Sequence, residues 1–265
     1  FEGNDTLIGG GVAAVGQGNS LQGGLGDDIY IVSTREDSTL EFVGEGTDEV
    51  RTTFFIYGLQ NNVENLTYTD NAQHGAGVGN TLNNVIRGGT GIDDLFGREG
   101  NDTLFGGTGS ANTLLGQEGD DIYVVQAAGD SIIEFASQGT DTVQTALGSF
   151  AMRQHVENLT YTGAGNFVGV GSVDGNTITA GAGTDDLSGL DGNDILIGGR
   201  GNDFMQGGAG ADQFRYNGGE SGLDRVIDFV SGVDKVALSN AFFTPTAVIS
   251  FVQTGAPAPT TTNST

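Results

Sequence analysis

The sequence of 265 residues has no cysteine, no tryptophan and only three prolines. Without cysteine the chain has neither disulfide bonds nor a thiolate metal site. It also has no run of about 18 apolar residues, which excludes a membrane-spanning helix. Basic residues are scarce, since 9 Lys and Arg stand against 34 Asp and Glu. The resulting formal net charge of −25 excludes non-specific binding to a nucleic-acid backbone.

Glycine and acidic residues are what the chain has in excess. There are 48 glycines among the 265 residues, against a usual share of about 7%, but they do not recur at every third position as in collagen. Repulsion among the acidic residues opposes a compact state, whereas 36% hydrophobic residues and 15 phenylalanines argue against disorder. We therefore expect cations to complete the fold.

A long repeat is present in the first two thirds of the chain. The segment VENLTYT at 63–69 recurs letter for letter at 156–162, which is 93 residues later. At the same offset, DDIY at 27–30 recurs at 120–123. Such agreement indicates that a structural unit was duplicated.

A short repeat of nine residues, with the consensus G-G-x-G-x-D-x-U-x and U apolar, lies inside the long one. Four copies run in register at 180–188, 189–197, 198–206 and 207–215. Further copies stand at 23–31, 88–96, 97–105 and 116–124, and the end of another at 3–8. This consensus is that of calcium-binding parallel β-helix repeats.

The residue types in the nonapeptide have a physical reason. The glycines allow positive φ and a tight turn, while the second half forms a short strand with its apolar side chain inward. Two nonapeptides make one coil of about 18 residues, which places Asp185 over Asp203 and Asp194 over Asp212. Carboxylates stacked at strand spacing repel one another unless a hard divalent cation lies between them, and calcium suits such oxygen ligands better than magnesium. The predicted inward residues are Leu7, Tyr30, Leu95, Leu104, Tyr123, Leu187, Leu196, Met205 and Phe214.

The stretches 33–86 and 126–179 lack the aspartate turns but alternate apolar and polar residues, which predicts strands. The expected fold is all-β: a parallel β-roll or β-solenoid of nonapeptide turns, with longer β-coils between them. We divide it into a first solenoid unit at 1–110, a second at 111–217, a C-terminal cap at 218–250 and a polar tail or linker at 251–265. Because residue 1 begins partway through a motif, we expect the chain to be a fragment of a longer protein.

The tandem nonapeptides resemble those of the RTX (repeats-in-toxin) proteins, which Gram-negative bacteria export by type I secretion. The segment 222–239 is similar to the C-terminal cap of serralysin-type RTX domains, and the duplicated VENLT segment is similar to spacers in large RTX proteins. The resemblance implies several bound Ca²⁺ ions, an extracellular or cell-surface location, and a chain that stays unfolded in the cell and folds on export. It also implies the type I secretion apparatus as a partner.

In that family each calcium takes oxygens from motif positions 2, 4 and 6 of one turn and positions 1, 3 and 6 of a later turn. Two ions are therefore expected in the last tandem copies. One set is Gly181, Gly183 and Asp185 with Gly198, Arg200 and Asp203. The other set is Leu190, Gly192 and Asp194 with Gly207, Ala209 and Asp212. Residues other than aspartate contribute through their carbonyl oxygens.

Four further sets follow from the same resemblance. One is Arg98, Gly100 and Asp102 with Gly116, Glu118 and Asp121, where a spacing of 19 requires a bulge. A second is Gly89, Gly91 and Asp93 with Gly106 and Thr108, whose sixth position falls near Ser110 or Asn112 and lacks a carboxylate. A third is Gly3 and Asp5 with Gly23, Leu25 and Asp28, if five extra residues loop out. The weakest is Gly199, Gly201 and Asp203 with Asp224.

Catalytic interpretations are weaker than calcium binding. Paired acids such as Asp27-Asp28 would suit a glycosidase, but their phase in the nonapeptide favours calcium or turn chemistry. The histidines His74 and His155 are expected in solvated loops, and neither H-E-x-x-H nor G-x-S-x-G occurs. We therefore predict that this chain is not itself an enzyme.

Three functions remain open from the sequence. The first is a structural calcium-binding module that assembles with copies of itself in an S-layer, sheath or filament, or that binds cell-surface polysaccharide. The second is the carrier region of an exported protease, lipase or alginate epimerase whose catalytic domain lies upstream. The third is an enzyme within the solenoid, whose candidate acids outside the nonapeptides are Asp48, Asp70, Asp141 and Asp174.

Overall fold

A computed structural model describes residues 2–10, 18–34, 36–69, 74–109, 111–217 and 222–238, and the backbone of 248–251. Every regular element in these residues is a β-strand, and none of them forms a helix long and apolar enough to cross a membrane. Asp70, Ser110, most of the predicted tail and part of the predicted cap lie outside the described residues. The all-β prediction is confirmed.

The chain divides into two compact units, residues 1–163 and 164–265. The strands of the first unit are β1 (Thr6–Ile8), β2 (Ser20–Leu21), β3 (Ile29–Val32), β4 (Ser38–Thr39), β5 (Glu49–Thr52), β6 (Ile56–Gly58), β7 (Asn65–Tyr68), β8 (Gly75–Val78), β9 (Val85–Arg87), β10 (Asp93–Glu99), β11 (Thr103–Phe105), β12 (Thr113–Glu118), β13 (Ile122–Val125), β14 (Ser131–Ile132), β15 (Thr142–Thr145), β16 (Ser149–Ala151) and β17 (Asn158–Tyr161). The strands of the second unit are β18 (Val168–Val170), β19 (Thr177–Thr179), β20 (Ala182–Gly183), β21 (Asp186–Asp191), β22 (Ile195–Ile197), β23 (Arg200–Gly201), β24 (Phe204–Ala209), β25 (Gln213–Tyr216), β26 (Leu223–Val226), β27 (Lys235–Leu238) and β28 (Val248–Phe251).

In each unit the chain alternates between two parallel sheets, as a β-solenoid does. In the first unit one sheet has the order β1-β3-β5-β7-β9-β11-β13-β15-β17 and the other has β6-β8-β10-β12-β14. In the second unit the orders are β19-β22-β25-β27 and β18-β21-β24-β26-β28. Neighbouring strands are separated in sequence by one coil, so residues one coil apart lie beside each other.

The coil length follows the repeat. In the second unit Ile195 pairs with Gln213, 18 residues on, as two nonapeptides require. The spacer coils differ: 20 residues separate Ile29 from Glu49, but only 16 separate Glu49 from Asn65. The duplicate keeps both lengths at Ile122–Thr142 and Thr142–Asn158. The spacers therefore continue the solenoid, with one coil shorter than the nonapeptide coil rather than longer.

The core is a row of inward side chains, one from each strand of the long sheet. The strands alternate inward and outward residues, because successive side chains of a strand point to opposite faces. All the predicted inward residues are fully buried except Leu7, which is half-buried on β1 at the edge of its sheet. In the first unit the fully buried row is Tyr30, Val50, Leu66, Ile86, Leu104, Tyr123, Val143 and Leu159.

The two compact units are not the units of the duplication. The structural division falls after Gly163, whereas the repeat boundary predicted from the sequence falls at 110/111. The repeat boundary concerns how the sequence was duplicated, and it stays a prediction.

Candidate calcium sites

Aspartates stand in columns where the chain turns into each strand. In the second unit the Asp185 N–H donates to Asp203 Oδ1 at 2.9 Å, and the Asp203 N–H donates to Asp224 Oδ1 at 3.0 Å. In the column on the other side, the Asp194 N–H donates to Asp212 Oδ1 at 3.0 Å. The predicted pairs are therefore brought together, each joined by one oxygen of the later carboxylate.

The second oxygen of these carboxylates has no such partner. In the part of the chain that the structure describes, nine aspartates have a buried Oδ2 without a hydrogen-bond donor: Asp5, Asp28, Asp48, Asp102, Asp121, Asp185, Asp194, Asp203 and Asp212. A buried unsatisfied carboxylate oxygen is costly. A hard cation such as calcium satisfies it, because calcium binds carboxylate and carbonyl oxygens together.

The glycine at motif position 1 makes room for that second oxygen. A Cβ added to Gly116, Gly189 or Gly207 would overlap the Oδ2 of the aspartate five residues later in the same turn. The recess is thus lined by backbone and a carboxylate oxygen, and at Gly116 also by the Tyr123 hydroxyl. Glycine is required here by space, and the residues present fit a small cation.

The electrostatics of the columns are unfavourable without a cation. Burial raises the pKa of Asp102 to about 7, and the charge of Asp121 adds to the effect. Burial likewise raises the pKa of Asp121 to about 7 and those of Asp194 and Asp203 to about 6, against the opposing effect of backbone hydrogen bonds. The fold therefore places carboxylates where a negative charge lacks compensation from the protein itself.

Some carbonyl groups of the two tandem sets already accept hydrogen bonds from backbone N–H groups. Gly181 O accepts the Arg200 N–H at 2.8 Å, and Ala209 O accepts the Gly192 N–H at 2.9 Å. A carbonyl oxygen has a second lone pair, which remains for a cation. The assignment of these carbonyls as ligands stays a proposal, as does that of Gly183, Leu190, Gly198, Gly199, Gly201 and Gly207.

The middle set is also assembled. The Asp102 N–H donates to Asp121 Oδ1 at 2.7 Å, and Arg98 pairs with Gln117 at the offset of 19 residues. This offset already holds at Asp94 and Thr113, so the extra residue lies before Thr113. Three residues at motif position 2 have left-handed backbone without being glycine: Arg98 (φ 91°), Gln117 (φ 75°) and Leu190 (φ 81°). Such strain is common where a turn is shaped for a ligand.

Asn112 takes the place of the missing carboxylate opposite Asp93. The Asp93 N–H donates to Asn112 Oδ1 at 2.9 Å. The Asn112 side-chain amide in turn donates to Asp130 Oδ1 at 2.8 Å. Gly89 O accepts the Thr108 N–H at 3.1 Å and Gly109 packs against Gly91 O, so the turns stack although this layer has one carboxylate fewer.

The two weakest predicted sets are joined in the same way. The Asp5 N–H donates to Asp28 Oδ1 at 2.7 Å across an offset of 23 residues, and the Gly3 N–H donates to Leu25 O at 2.6 Å. At the other end, Asp203 meets Asp224 across 21 residues. Loop insertions therefore leave the stacking of the carboxylates intact.

The neighbouring acid of each paired motif has another role. Asp27 Oδ1 accepts the Thr47 N–H at 3.0 Å, and Asp120 Oδ1 accepts the Thr140 N–H at 2.8 Å. Asp94 lies 2.8 Å from the exposed His74 ring. In these places the second acid holds a turn or a surface contact.

Several residues of the columns were missed in the sequence. Asp48 and Asp141 each accept the N–H of the preceding aspartate, from Asp28 and Asp121 respectively, at 2.8 Å. Their signal was present as the recurring Gly-Thr-Asp at 46–48 and 139–141, immediately before a strand, but the turn lacks the full glycine pattern. Other missed members are Asp37, Glu41, Glu64, Asn84, Asp130, Glu134, Glu157, Asn176 and Asp234.

The fold and the stacked carboxylates define a calcium-binding β-roll. The family model for the RTX calcium-binding nonapeptide repeat (4 copies) matches residues 78–111, 161–196 and 188–222. The chain thus contains RTX calcium-binding nonapeptide repeats, and the resemblance seen in its nonapeptides is confirmed. Calcium is the ion that these repeats bind.

Two curated proteins of Rhizobium meliloti (strain 1021) share part of the sequence. Endo-1,3-1,4-beta-glycanase ExsH is 39% identical over 93 residues, which cover 35% of this chain and 20% of the relative. Endo-1,3-1,4-beta-glycanase EglC is 36% identical over 87 residues, covering 33% of this chain and 18% of the relative. The shared stretch is therefore about a fifth of each glycanase.

Proposed function

We propose that this chain is a calcium-dependent folding module of a bacterial protein exported by type I secretion to the cell surface or the medium. The carrying observation is the set of nine buried aspartate oxygens without a donor. At low calcium these charges oppose folding, and at high calcium the bound ions remove the opposition. The module then stays unfolded in the cytosol and folds outside the cell.

Linkage gives the size of the effect. Extracellular calcium modules bind with a Kd of about 10⁻⁴ to 10⁻³ M, far above cytosolic calcium. Each site at 100-fold excess over its Kd adds about 2.7 kcal/mol to folding. A few such sites together equal or exceed the total stability of an ordinary domain, about 5–15 kcal/mol.

The test is a calcium titration of the purified chain followed by far-UV circular dichroism. We expect a disordered spectrum in chelator and a cooperative rise of β signal at sub-millimolar to millimolar calcium, with magnesium a poor substitute. A β spectrum that is unchanged in excess chelator would refute the proposal.

A second candidate is favoured by the two relatives. The module would form the calcium-binding part of an exported enzyme that acts on β-glycans, with its catalytic residues elsewhere in the protein. We expect the chain alone, folded in calcium, to release no reducing sugar from mixed-linkage 1,3-1,4-β-glucan, whereas the full gene product does. Hydrolysis by the chain alone that is lost in Asp48→Asn or Asp141→Asn, with the fold kept, would place the activity within the solenoid instead.

A further inference from the structure

Two buried acidic triads each join one nonapeptide aspartate to two acids of the spacer that follows it. The first is formed by Asp28, Glu41 and Asp48, and the second by Asp121, Glu134 and Asp141. Members of the two triads correspond one to one at the offset of 93 residues. In each triad, one carboxylate oxygen from every residue lies within 4.8 Å of the others.

The first triad has oxygens that no protein group satisfies. Glu41 is only 4% exposed, and neither of its carboxylate oxygens has a hydrogen-bond donor. Asp28 and Asp48 are each 1% exposed, and the Oδ2 of each also lacks a donor. Their Oδ1 atoms are already used, by the Asp5 N–H and the Asp28 N–H respectively. Three buried carboxylates thus converge, and each of them has at least one oxygen without a donor.

The second triad repeats this arrangement with one addition. Asp121 Oδ1 accepts the Asp102 N–H and Asp141 Oδ1 accepts the Asp121 N–H, while Asp121 Oδ2 lacks a donor. Glu134 is 8% exposed and accepts a hydrogen bond from the Tyr123 hydroxyl. Duplication has therefore preserved the convergence of carboxylates as well as the strands.

Salt bridges join Arg51 to Glu49 and His74 to Asp94, and neither of them involves a triad residue. Two oxygens bound to one calcium ion are at most about 5 Å apart, since calcium–oxygen distances are 2.3–2.6 Å. The oxygen separations in each triad satisfy this limit.

We propose that Asp28, Glu41 and Asp48 bind one calcium ion, and that Asp121, Glu134 and Asp141 bind a second. These sites extend the calcium stack one layer beyond the nonapeptide turns, with a glutamate from the spacer replacing the absent turn. Their ligands are three carboxylates rather than carboxylates and glycine carbonyls alone. The rival arrangement is a proton shared between the glutamate and an aspartate, with no ion.

The test compares Glu41→Gln/Glu134→Gln with the wild-type chain and with Glu36→Gln/Glu99→Gln. The control removes the same two charges from exposed glutamates. After equilibrium dialysis against excess calcium, calcium bound per chain is counted by atomic emission, and circular dichroism verifies the fold. We expect the triad variant to hold two fewer ions than the wild type, and the control to hold the same number.

Terbium provides an independent readout, because it replaces calcium and is sensitised by nearby tyrosine in a chain without tryptophan. Tyr123 contacts the second triad, so Tyr123→Phe should lower tyrosine-excited terbium emission while leaving the calcium count unchanged. Equal calcium counts in the triad variant and the wild type would overturn the proposal. A wild-type chain that binds no calcium would instead overturn the proposed function.

If the triad variant does not fold, the wild-type chain alone tests the proposal. In calcium at neutral pH, the infrared spectrum of the wild type should show no protonated-carboxyl band that shifts in D₂O. Such a band, lost in the single variants Glu41→Gln or Glu134→Gln, would establish the shared proton and refute the ion.

Discussion

Asn84 in the first unit and Asp203 in the second occupy the same place, one residue before a strand, and both are buried. Asn84 Oδ1 accepts the Asn80 N–H at 2.7 Å, and its amide donates to Glu64 O at 3.1 Å. Asp203 Oδ1 accepts the Asp185 N–H, but its Oδ2 is buried without a donor. We infer that this one atom, an amide nitrogen in Asn84 and a carboxylate oxygen in Asp203, decides whether the turn requires an ion.

A second contrast lies within the acidic residues. Burial alone would raise the pKa of Asp37, but hydrogen bonds from Asn19 and Thr34 outweigh it and lower the pKa. Asp48 receives fewer donors, and burial with the charges of Glu64 and Asp28 raises its pKa to about 6. We infer that a carboxylate with both oxygens hydrogen-bonded to N–H groups holds its turn without a cation, whereas one with a buried donor-free oxygen requires one.

The largest effect that this comparison predicts is that removing calcium reverses the pH dependence of folding stability. The raised pKa values of about 6 to 7 at Asp102, Asp121, Asp194 and Asp203 exceed the unfolded value of about 3.9. Their contribution to the stability of the metal-free fold is therefore fully present below pH about 4 and is lost as the pH rises through about 6 to 7. With saturating calcium the fold should weaken on acidification, because protons then compete with the ion.

Circular dichroism from pH 4 to 8, on calcium-depleted protein and on protein in excess calcium, measures both curves. General charge repulsion would also be relieved by acid, and 1 M NaCl is the control because it screens exposed charges to about 3 Å. Salt should restore little β signal at pH 7. Full recovery in salt alone would show that surface repulsion, not the buried columns, prevents folding.

The next effect is the loss of calcium affinity when one stacked carboxylate becomes neutral. In Asp203→Asn the acceptor for the Asp185 N–H is kept and the charge is lost. Because losing even an outer-shell partner of a metal ligand lowers affinity about 10–100-fold, we expect the calcium midpoint of folding in the second unit to rise by at least about 10-fold. The matched control is Asp130→Asn, because Asp130 already accepts from Asn112, Ala127 and Gln126. Equal shifts in the two variants would contradict the distinction between stacked and capped carboxylates.

A smaller effect is expected from filling one recess. In Gly116→Ala the new Cβ would overlap Asp121 Oδ2 and the Tyr123 hydroxyl. We therefore expect the free energy of unfolding to fall by about 1–3 kcal/mol and calcium binding to weaken. Gly58→Ala is the control, since its Cβ would meet nothing closer than 3.8 Å. Denaturant unfolding in saturating calcium measures both, and a neutral Gly116→Ala would show that the recess has spare room.

The sequence reveals those parts of the molecule that repeat at short period. The nine-residue spacing is enough to predict the parallel coils, the inward residues of the nonapeptides such as Tyr30 and Phe214, and the stacking of Asp185 on Asp203. Where the period breaks, prediction fails: the 16-residue coil from Glu49 to Asn65 has no internal motif to fix its register.

The triads are missed for a different reason. Glu41 and Glu134 each lie 13 residues after the first aspartate of their triad, outside the nonapeptide, so their contact depends on the spacer's register and on burial. Nothing in the local sequence around either glutamate marks it as inward. The duplication at 93 residues was the available signal, because it preserved Asp28, Glu41 and Asp48 together.

The smallest expected effect comes from replacing the buried asparagine of the spacer turn, Asn84, with the aspartate that the stacked turns have. Asn84→Asp removes the amide donor to Glu64 O without changing side-chain volume, so we expect a loss of about 1 kcal/mol in saturating calcium. For a chain of this size that lowers Tm by about 2–4 °C. Asn83→Asp makes the same change on the exposed neighbouring residue, whose Oδ1 accepts the Asn101 N–H at 2.8 Å and is kept. Thermal unfolding of the two variants separates the loss of the donor from the added charge. If the Tm of both variants falls equally, the amide of Asn84 is not what makes the spacer turn independent of an ion.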